Sequence, residues 1–424
     1  MPAMRMRGLS RTRYRQSLVA LPALYVAGAV LLGILAPAID ASREGGNTSV
    51  ATARDLLTAT ATGMIAFTGF VLSGVLLVVQ FAAGQYSPRL VLWFRRDVLV
   101  KHAIGTFLAS PVFALFALRR LDEPGSEISP DVTVGVALAL LVGASILFLA
   151  LLQRVTDRLR PRTLYGAVVS EAIQAARDVY PAALGEATTP DRTEWARAEP
   201  QSVRLTGRPG VVTSFDRDAL VRAAQDADAV IELVLAVGEY AGPRVELLRV
   251  HGGRAPDPAG IARLVVVADE RTIEQDPAFA IRIVVDTAIR ALSPAVNDPT
   301  TAVQALDVLE VLVRELAARD LEASLARDAS GTLRLVWRSP GWDDLLDLAF
   351  DEIRGYGASS LQVCRRLRAV LEDLLAATPA SRHAGIREHL RRLQADVLTG
   401  FPEGSPEREL AQVPDRTGLG LARR

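Results

Sequence analysis

Residues 56–83 read LLTATATGMIAFTGFVLSGVLLVVQFAA, and no Asp, Glu, Lys, Arg or His occurs between Asp55 and Arg89. A helix needs roughly 20 apolar residues to cross the core of a bilayer, and this run exceeds that. It therefore decides the fold: the chain begins as a membrane protein. Three further stretches of the same character surround it, Ser17–Ile39, Val98–Leu118 and Val132–Leu152. The third span in chain order carries Lys101 and His102 near one end, where a lysine can snorkel to the interface. Apart from these, the spans hold no Asp, Glu or Arg of the kind that marks proton relays and voltage sensors, which disfavours a proton-coupled pump.

Within residues 56–83, Thr62, Ala66, Gly69 and Ser73 recur at helical spacing and form a narrow stripe of small residues. Such a stripe suits tight helix packing, because small side chains let backbones approach. The alternative to packing is a pore lining built from several copies of the chain.

Charge sets the orientation. The 48 basic and 48 acidic residues cancel overall, yet residues 1–162 carry 17 basic and 9 acidic residues, leaving 31 and 39 for the remainder. Arg5, Arg7, Arg11, Arg13 and Arg15 precede the first span, Arg89, Arg95, Arg96 and Lys101 follow the second, and Arg154, Arg158, Arg160 and Arg162 follow the fourth. The other two connections hold only Arg43, Arg54, Arg119 and Arg120. Positive loops stay inside, so both termini are expected in the cytoplasm. Ala36-Pro37-Ala38 offers an alternative as a signal-peptide cleavage site, but the apolar stretch is long for a signal.

Residues 161–200 read as a helical connector, with a helix near Leu164–Tyr180, followed by a loop rich in Pro, Thr and acid. From residue 201 to 268 the pattern turns to short β-type runs, Ser202–Leu205, Gly210–Ser214, Val230–Val237, Arg244–Val250 and Ala262–Val267, separated by glycines, with a short helix at Leu220–Asp228. Residues 269–400 return to helix. Asp276-Pro277 and Asp298-Pro299 each place a capping side chain before a proline at the first helical position, predicting helices at Pro277–Leu292 and Pro299–Arg319. A β-type run at Thr332–Arg338 precedes helices near Trp342–Arg354, Ser359–Ala377 and Ala384–Thr399. Residues 401–424, with Pro402, Pro406 and Pro414 and few apolar anchors, are expected to be a disordered tail.

By turn spacing, the β-rich segment looks like a small barrel or sandwich of the biotinyl/lipoyl type, although it has no lysine to act as a swinging arm. A broader resemblance rests on Glu270-Arg271-Thr272-Ile273-Glu274-Gln275-Asp276-Pro277 and on the run from Arg290-Ala291-Leu292-Ser293-Pro294 to Asn297-Asp298-Pro299-Thr300-Thr301-Ala302. Together with Gln80–Leu90, which contains Ser87-Pro88-Arg89, these resemble the motifs of a bacterial family of predicted integral membrane proteins of unknown function. Thr300 stands where that family commonly has an aromatic residue. The resemblance implies a four-span unit in the inner membrane with a cytoplasmic domain, and no established activity.

Candidate site residues lie mainly at the second motif. Arg282, Asp286 and Arg290 share one helical face, either as a charge ladder or as an anion site completed by the N-terminus of the helix starting at Pro299. Asn297 and Asp298 read as a turn former and an N-cap, or as ligand contacts. The sole cysteine, Cys364, excludes a disulfide framework and multi-cysteine zinc sites. His383 and His389, six residues apart, do not share a helical face and are expected to be solvent-exposed. No catalytic constellation, cofactor motif or nucleic-acid reader motif is found. The expected whole is a four-helix transmembrane domain (1–160) joined to a cytoplasmic α+β domain. Its partners are the lipid bilayer, further copies of itself and an unidentified ligand, with no cofactor and no nucleic acid.

Overall fold

The computed structural model describes residues 19–43, 47–85, 97–121, 129–158, 161–185, 199–253, 257–321 and 324–420. The basic N-terminal segment, Arg89, Arg95, Arg96 and the Ser87-Pro88-Arg89 segment lie outside these residues. The chain divides into two compact units, residues 1–160 and 161–424.

The N-terminal unit is built on four helices, α1 (Ala20–Ala41), α2 (Val50–Gln85), α3 (Val98–Leu121) and α4 (Asp131–Arg158). Each is long and apolar enough to cross a membrane. α3 is the most enclosed, and its Phe107 and Phe113 are fully buried. Small residues bring α1 against it. A Cβ added at Gly33 would stand 2.8 Å from Phe116 Cβ and 3.0 Å from the Phe113 carbonyl oxygen, and one at Gly105 would meet Tyr25 Cγ at 2.8 Å. Ala29, Ala36, Ala109, Ala114 and Ala117 are buried in the same cluster. α1 runs unbroken through Ala36-Pro37-Ala38, with Ala36 and Pro37 buried as part of the bundle.

Polar groups tie the bundle at both ends. Asp40 lies beyond the apolar run expected for the first span, but α1 continues to Ala41 and buries it. Its carboxylate accepts hydrogen bonds from Val132 N (2.9 Å), Thr133 N (2.9 Å) and Thr133 Oγ1 (2.6 Å), satisfying amides at the start of α4. The span helices therefore do contain a buried acid, in a capping role. At the other end, Asp97 accepts from Leu99 N at 2.9 Å at the start of α3 and pairs with Arg154 of α4 at 2.9 Å. Lys101 is buried rather than snorkelling. His102 shares a 2.7 Å hydrogen bond with the Tyr25 hydroxyl.

The C-terminal unit begins with α5 (Pro161–Val179). The β-rich part comprises β1 (Gln201–Arg204), β2 (Gly210–Phe215), β3 (Val230–Leu233), β4 (Tyr240–Ala241), β5 (Glu246–His251) and β6 (Val265–Ala268), with α6 (Arg217–Asp226) and α7 (Pro258–Ala262) between them. Two strands come from further along, β7 (Leu325–Arg327) and β8 (Leu333–Val336). One sheet has the order β1-β5-β3-β8-β7 and the other β4-β2-β6. Every pairing is antiparallel except β3 with β8. Among the described residues these strands close no barrel. They are open sheets sharing one core of Val212, Phe215, Ile231, Leu248, Leu335 and their neighbours. The module is therefore not confined to residues 201–268, because the β7–β8 hairpin completes its larger sheet.

The helical part holds α8 (Pro277–Ala291), α9 (Pro299–Ala317), α10 (Trp342–Gly357), α11 (Leu361–Ala377), α12 (His383–Gly400) and α13 (Pro406–Leu410). Both Asp-Pro starts act as read from the sequence: Asp276 accepts from Phe279 N at 3.0 Å and Asp298 from Thr301 N at 3.1 Å. The segment expected to be a disordered tail is held from residue 401 to 420. Arg365 of α11, 1% exposed, donates to the Val413 carbonyl (3.0 Å) and the Gly420 carbonyl (2.9 Å), and Arg416 pairs with Asp373 at 2.8 Å. A buried guanidinium aimed at backbone carbonyls supplies the anchor that the sparse apolar residues of the tail do not.

Candidate functional site

The first motif joins the sheets to the helices of the C-terminal unit. Gln275 behaves as a surrogate strand residue: its Oε1 accepts from Phe215 N at 3.0 Å, and its Nε2 donates to the Phe215 carbonyl at 3.2 Å. Arg271 Nε donates to the Gly238 carbonyl at 2.9 Å, and its guanidinium lies 5.9 Å from the Phe279 ring centroid. Gly238 has φ +92°, and a Cβ there would stand 2.6 Å from Asp276 Oδ2, so this turn requires glycine. Burial holds the Asp276 carboxyl above its ordinary range, against the opposing pull of the Phe279 amide and Arg271.

The second motif is a tight corner between α8 and α9. Ser293 Oγ donates to the Arg290 carbonyl at 2.7 Å, Asn297 N to the Ser293 carbonyl at 2.9 Å, and Asp298 N to the Ala291 carbonyl at 2.7 Å. Asn297 adopts φ +48°, a left-handed conformation that asparagine tolerates. Pro294, Ala295 and Val296 are exposed at its tip, and Thr300 is exposed one residue into α9.

Residues 15–373, which contain both motifs and all four spans, match the family described as "Predicted membrane protein (DUF2254)". The chain belongs to this family. The chain is also similar to an uncharacterised protein of Mycobacterium bovis and to uncharacterised proteins of two Mycobacterium tuberculosis strains. Each is 29% identical over 386 residues, covering 88% of this chain and 72% of theirs. No solved structure matches.

The remaining candidates fall into separate places. Arg282 turns from α8 to α10: its Nε donates to Asp286 Oδ1 at 2.6 Å and its terminal nitrogens pair with Glu352, at 3.1 Å from Nη2 to Oε2. The Arg282 hydrogen bond holds the Glu352 carboxyl below its ordinary range. One arginine between two carboxylates leaves a negative sum, so an anion at Arg282 would first have to displace Asp286 or Glu352. Arg290 is half-buried in the last turn of α8.

The stripe on α2 faces outward. Thr62, Ala66, Gly69 and Ser73 are all exposed, and a Cβ at Gly69 would find nothing within 4 Å. The helix buries Ala53, Leu57, Ala61, Met64, Thr68 and Val71 instead. Among the described residues, the stripe takes no part in the buried interior of the bundle.

Sequence reading missed one cluster. His389, expected at the surface, is 2% exposed and lies beside Asp347 and Asp351 of α10. The signal was an i,i+4 pair of aspartates on one helix, with its third member 38 residues beyond Asp351. Cys364 is buried and its thiol donates to the Gly357 carbonyl at 3.4 Å; burial pushes its pKa up to about 11.

Proposed function

We propose that this membrane protein acts as a homo-oligomer of channel-like or transport-related type, in which the second spans of neighbouring copies meet through Thr62, Ala66, Gly69 and Ser73 and the C-terminal unit binds a ligand. The observation that carries this reading is the outward exposure of that stripe. In lipid, a groove of small residues offers little dispersion contact to acyl chains but lets a second backbone come close. The interior of one copy is filled by Phe107, Phe113 and alanines around α3, so a conducting path would have to form between copies rather than through one.

That same filled bundle supports a second reading, a membrane-anchored sensor or scaffold whose spans conduct nothing. Reconstruction of the full chain by electron cryomicroscopy in lipid nanodiscs separates the two. A ring with α2 lining a wettable axis is the result expected of the first. A monomer, or a dimer without an axial cavity, would overturn it in favour of the second.

A further inference from the structure

Asp347 and Asp351 stand one turn apart on α10 and face His389 of α12, with one ligand-type atom from each of the three within 4.8 Å of the others. His389 is 2% exposed. Its Nε2 lies 3.2 Å from Asp347 Oδ1, the edge on which a neutral ring would carry its proton. Its Nδ1 is buried without a hydrogen-bond partner, 3.6 Å from Asp351 Oδ1. With the proton on Nε2, the Nδ1 lone pair faces a carboxylate oxygen, an arrangement that is unfavourable unless a cation stands between them.

We propose that His389 Nδ1 and Asp351, with Asp347 holding the ring from its Nε2 edge and water completing the coordination, form a binding site for a divalent transition-metal ion of the zinc or manganese class. An imidazole nitrogen combined with carboxylate oxygens suits such ions better than magnesium or calcium, which favour all-oxygen sets. Bonds of about 2.1 Å in a tetrahedral site place neighbouring ligand atoms ~3.4 Å apart, close to the observed 3.6 Å. Asp347 opposite Nε2 reproduces the carboxylate–histidine pairing that fixes metal-bound imidazoles.

Arg392 is the residue that gives way. Its Nη1 lies 3.0 Å from Asp347 Oδ1 and 3.2 Å from Asp351 Oδ2, supplying positive charge to both carboxylates. Its side chain is 34% exposed, and its Nε already donates to Glu388 Oε1 at 3.0 Å. The guanidinium can therefore pivot onto Glu388 and leave Asp351 to the ion. Arg354 stays on Asp351 (3.2 Å) and Asp396 as the outer support of the site.

The test uses the full chain in detergent, carrying no polyhistidine tag and stripped with a chelator, titrated calorimetrically with Zn²⁺ and Mn²⁺ and spectroscopically with Co²⁺. One ion per chain is expected. His389→Gln and Asp351→Asn should each weaken binding at least about tenfold, and His383→Gln should leave it unchanged. Arg392→Gln should tighten binding, because the competing cation is gone. A purely structural ion-pair network predicts instead that Arg392→Gln lowers thermal stability and binds no metal, and that result would overturn the proposal. So would wild-type binding that persists unchanged in His389→Gln. Since Arg392 is partly exposed, its variant keeps the test decisive even if His389→Gln fails to fold.

Discussion

On α1 and α3, Gly33 and Gly105 sit where an added Cβ would stand 2.8 Å from Phe116 and Tyr25; on α2, Gly69 has open space for 4 Å around it. Both surfaces are rich in small residues, and on sequence alone they are equivalent invitations to helix packing. The difference lies in what stands opposite. Gly33 and Gly105 each receive a neighbouring span, whereas the α2 stripe is turned outward because Leu57, Met64 and Val71 take the inward positions on that helix. Small residues thus mark where close approach is possible, and the larger apolar residues decide which side faces the chain's own core.

The largest effect follows from overpacking the enclosed face. Gly33→Leu should destabilise the purified chain by about 1–3 kcal/mol or more, since the obstructing atoms include backbone. Thermal denaturation in detergent measures it. Gly69→Leu, on the open face, should leave single-chain stability within about 0.5 kcal/mol of wild type. A similar loss for both variants would erase the contrast between the faces.

Next in size is the cap that closes the enclosed bundle. Asp40→Ala removes three acceptor contacts at the start of α4 and should cost about 0.5–2 kcal/mol, whereas Asp298→Ala in the exposed corner of the C-terminal unit should fall at the lower end of that range. Equilibrium unfolding of the two variants should rank them in that order.

The smallest effect is a pH dependence at Asp276. Its folded-state pKa is raised by burial, so the stability it contributes is fully present below the unfolded carboxylate value and is lost as pH rises through the raised one. Asp276→Asn keeps a good capping side chain without the charge. The variant should match wild type in acid and exceed it by less than about 1 kcal/mol at pH 7–8. Stability curves against pH that run parallel for the two proteins would contradict this.

Much of the architecture was legible before any coordinates. The four spans, both Asp-Pro helix starts and the helices after residue 340 leave strong periodic or capping signals, and each is found at its expected place, although α2 begins six residues earlier and α4 ends six residues later than expected. Asp40 was missed because it sits just past the last apolar residue of its span, where hydropathy gives no reason to extend the helix. The β7–β8 hairpin was missed as part of the β module because the parallel β3–β8 pairing joins segments about 100 residues apart. The tail depends on one buried arginine, Arg365, and the Asp347–Asp351–His389 cluster on two helices meeting. Partners chosen by tertiary packing leave no local periodicity to read.

The central claim, that the α2 stripe is a contact between copies, is tested most directly by disulfide crosslinking in native membranes. Cys364 is buried with its thiol pKa pushed up to about 11, so single cysteines introduced elsewhere report with little background. Thr62→Cys, Ala66→Cys, Gly69→Cys and Ser73→Cys should give covalent dimers on mild oxidation, while Leu57→Cys and Val71→Cys on the inward face should not. If the four stripe variants crosslink no better than the two inward ones, the α2 stripe faces lipid alone and the oligomer reading falls.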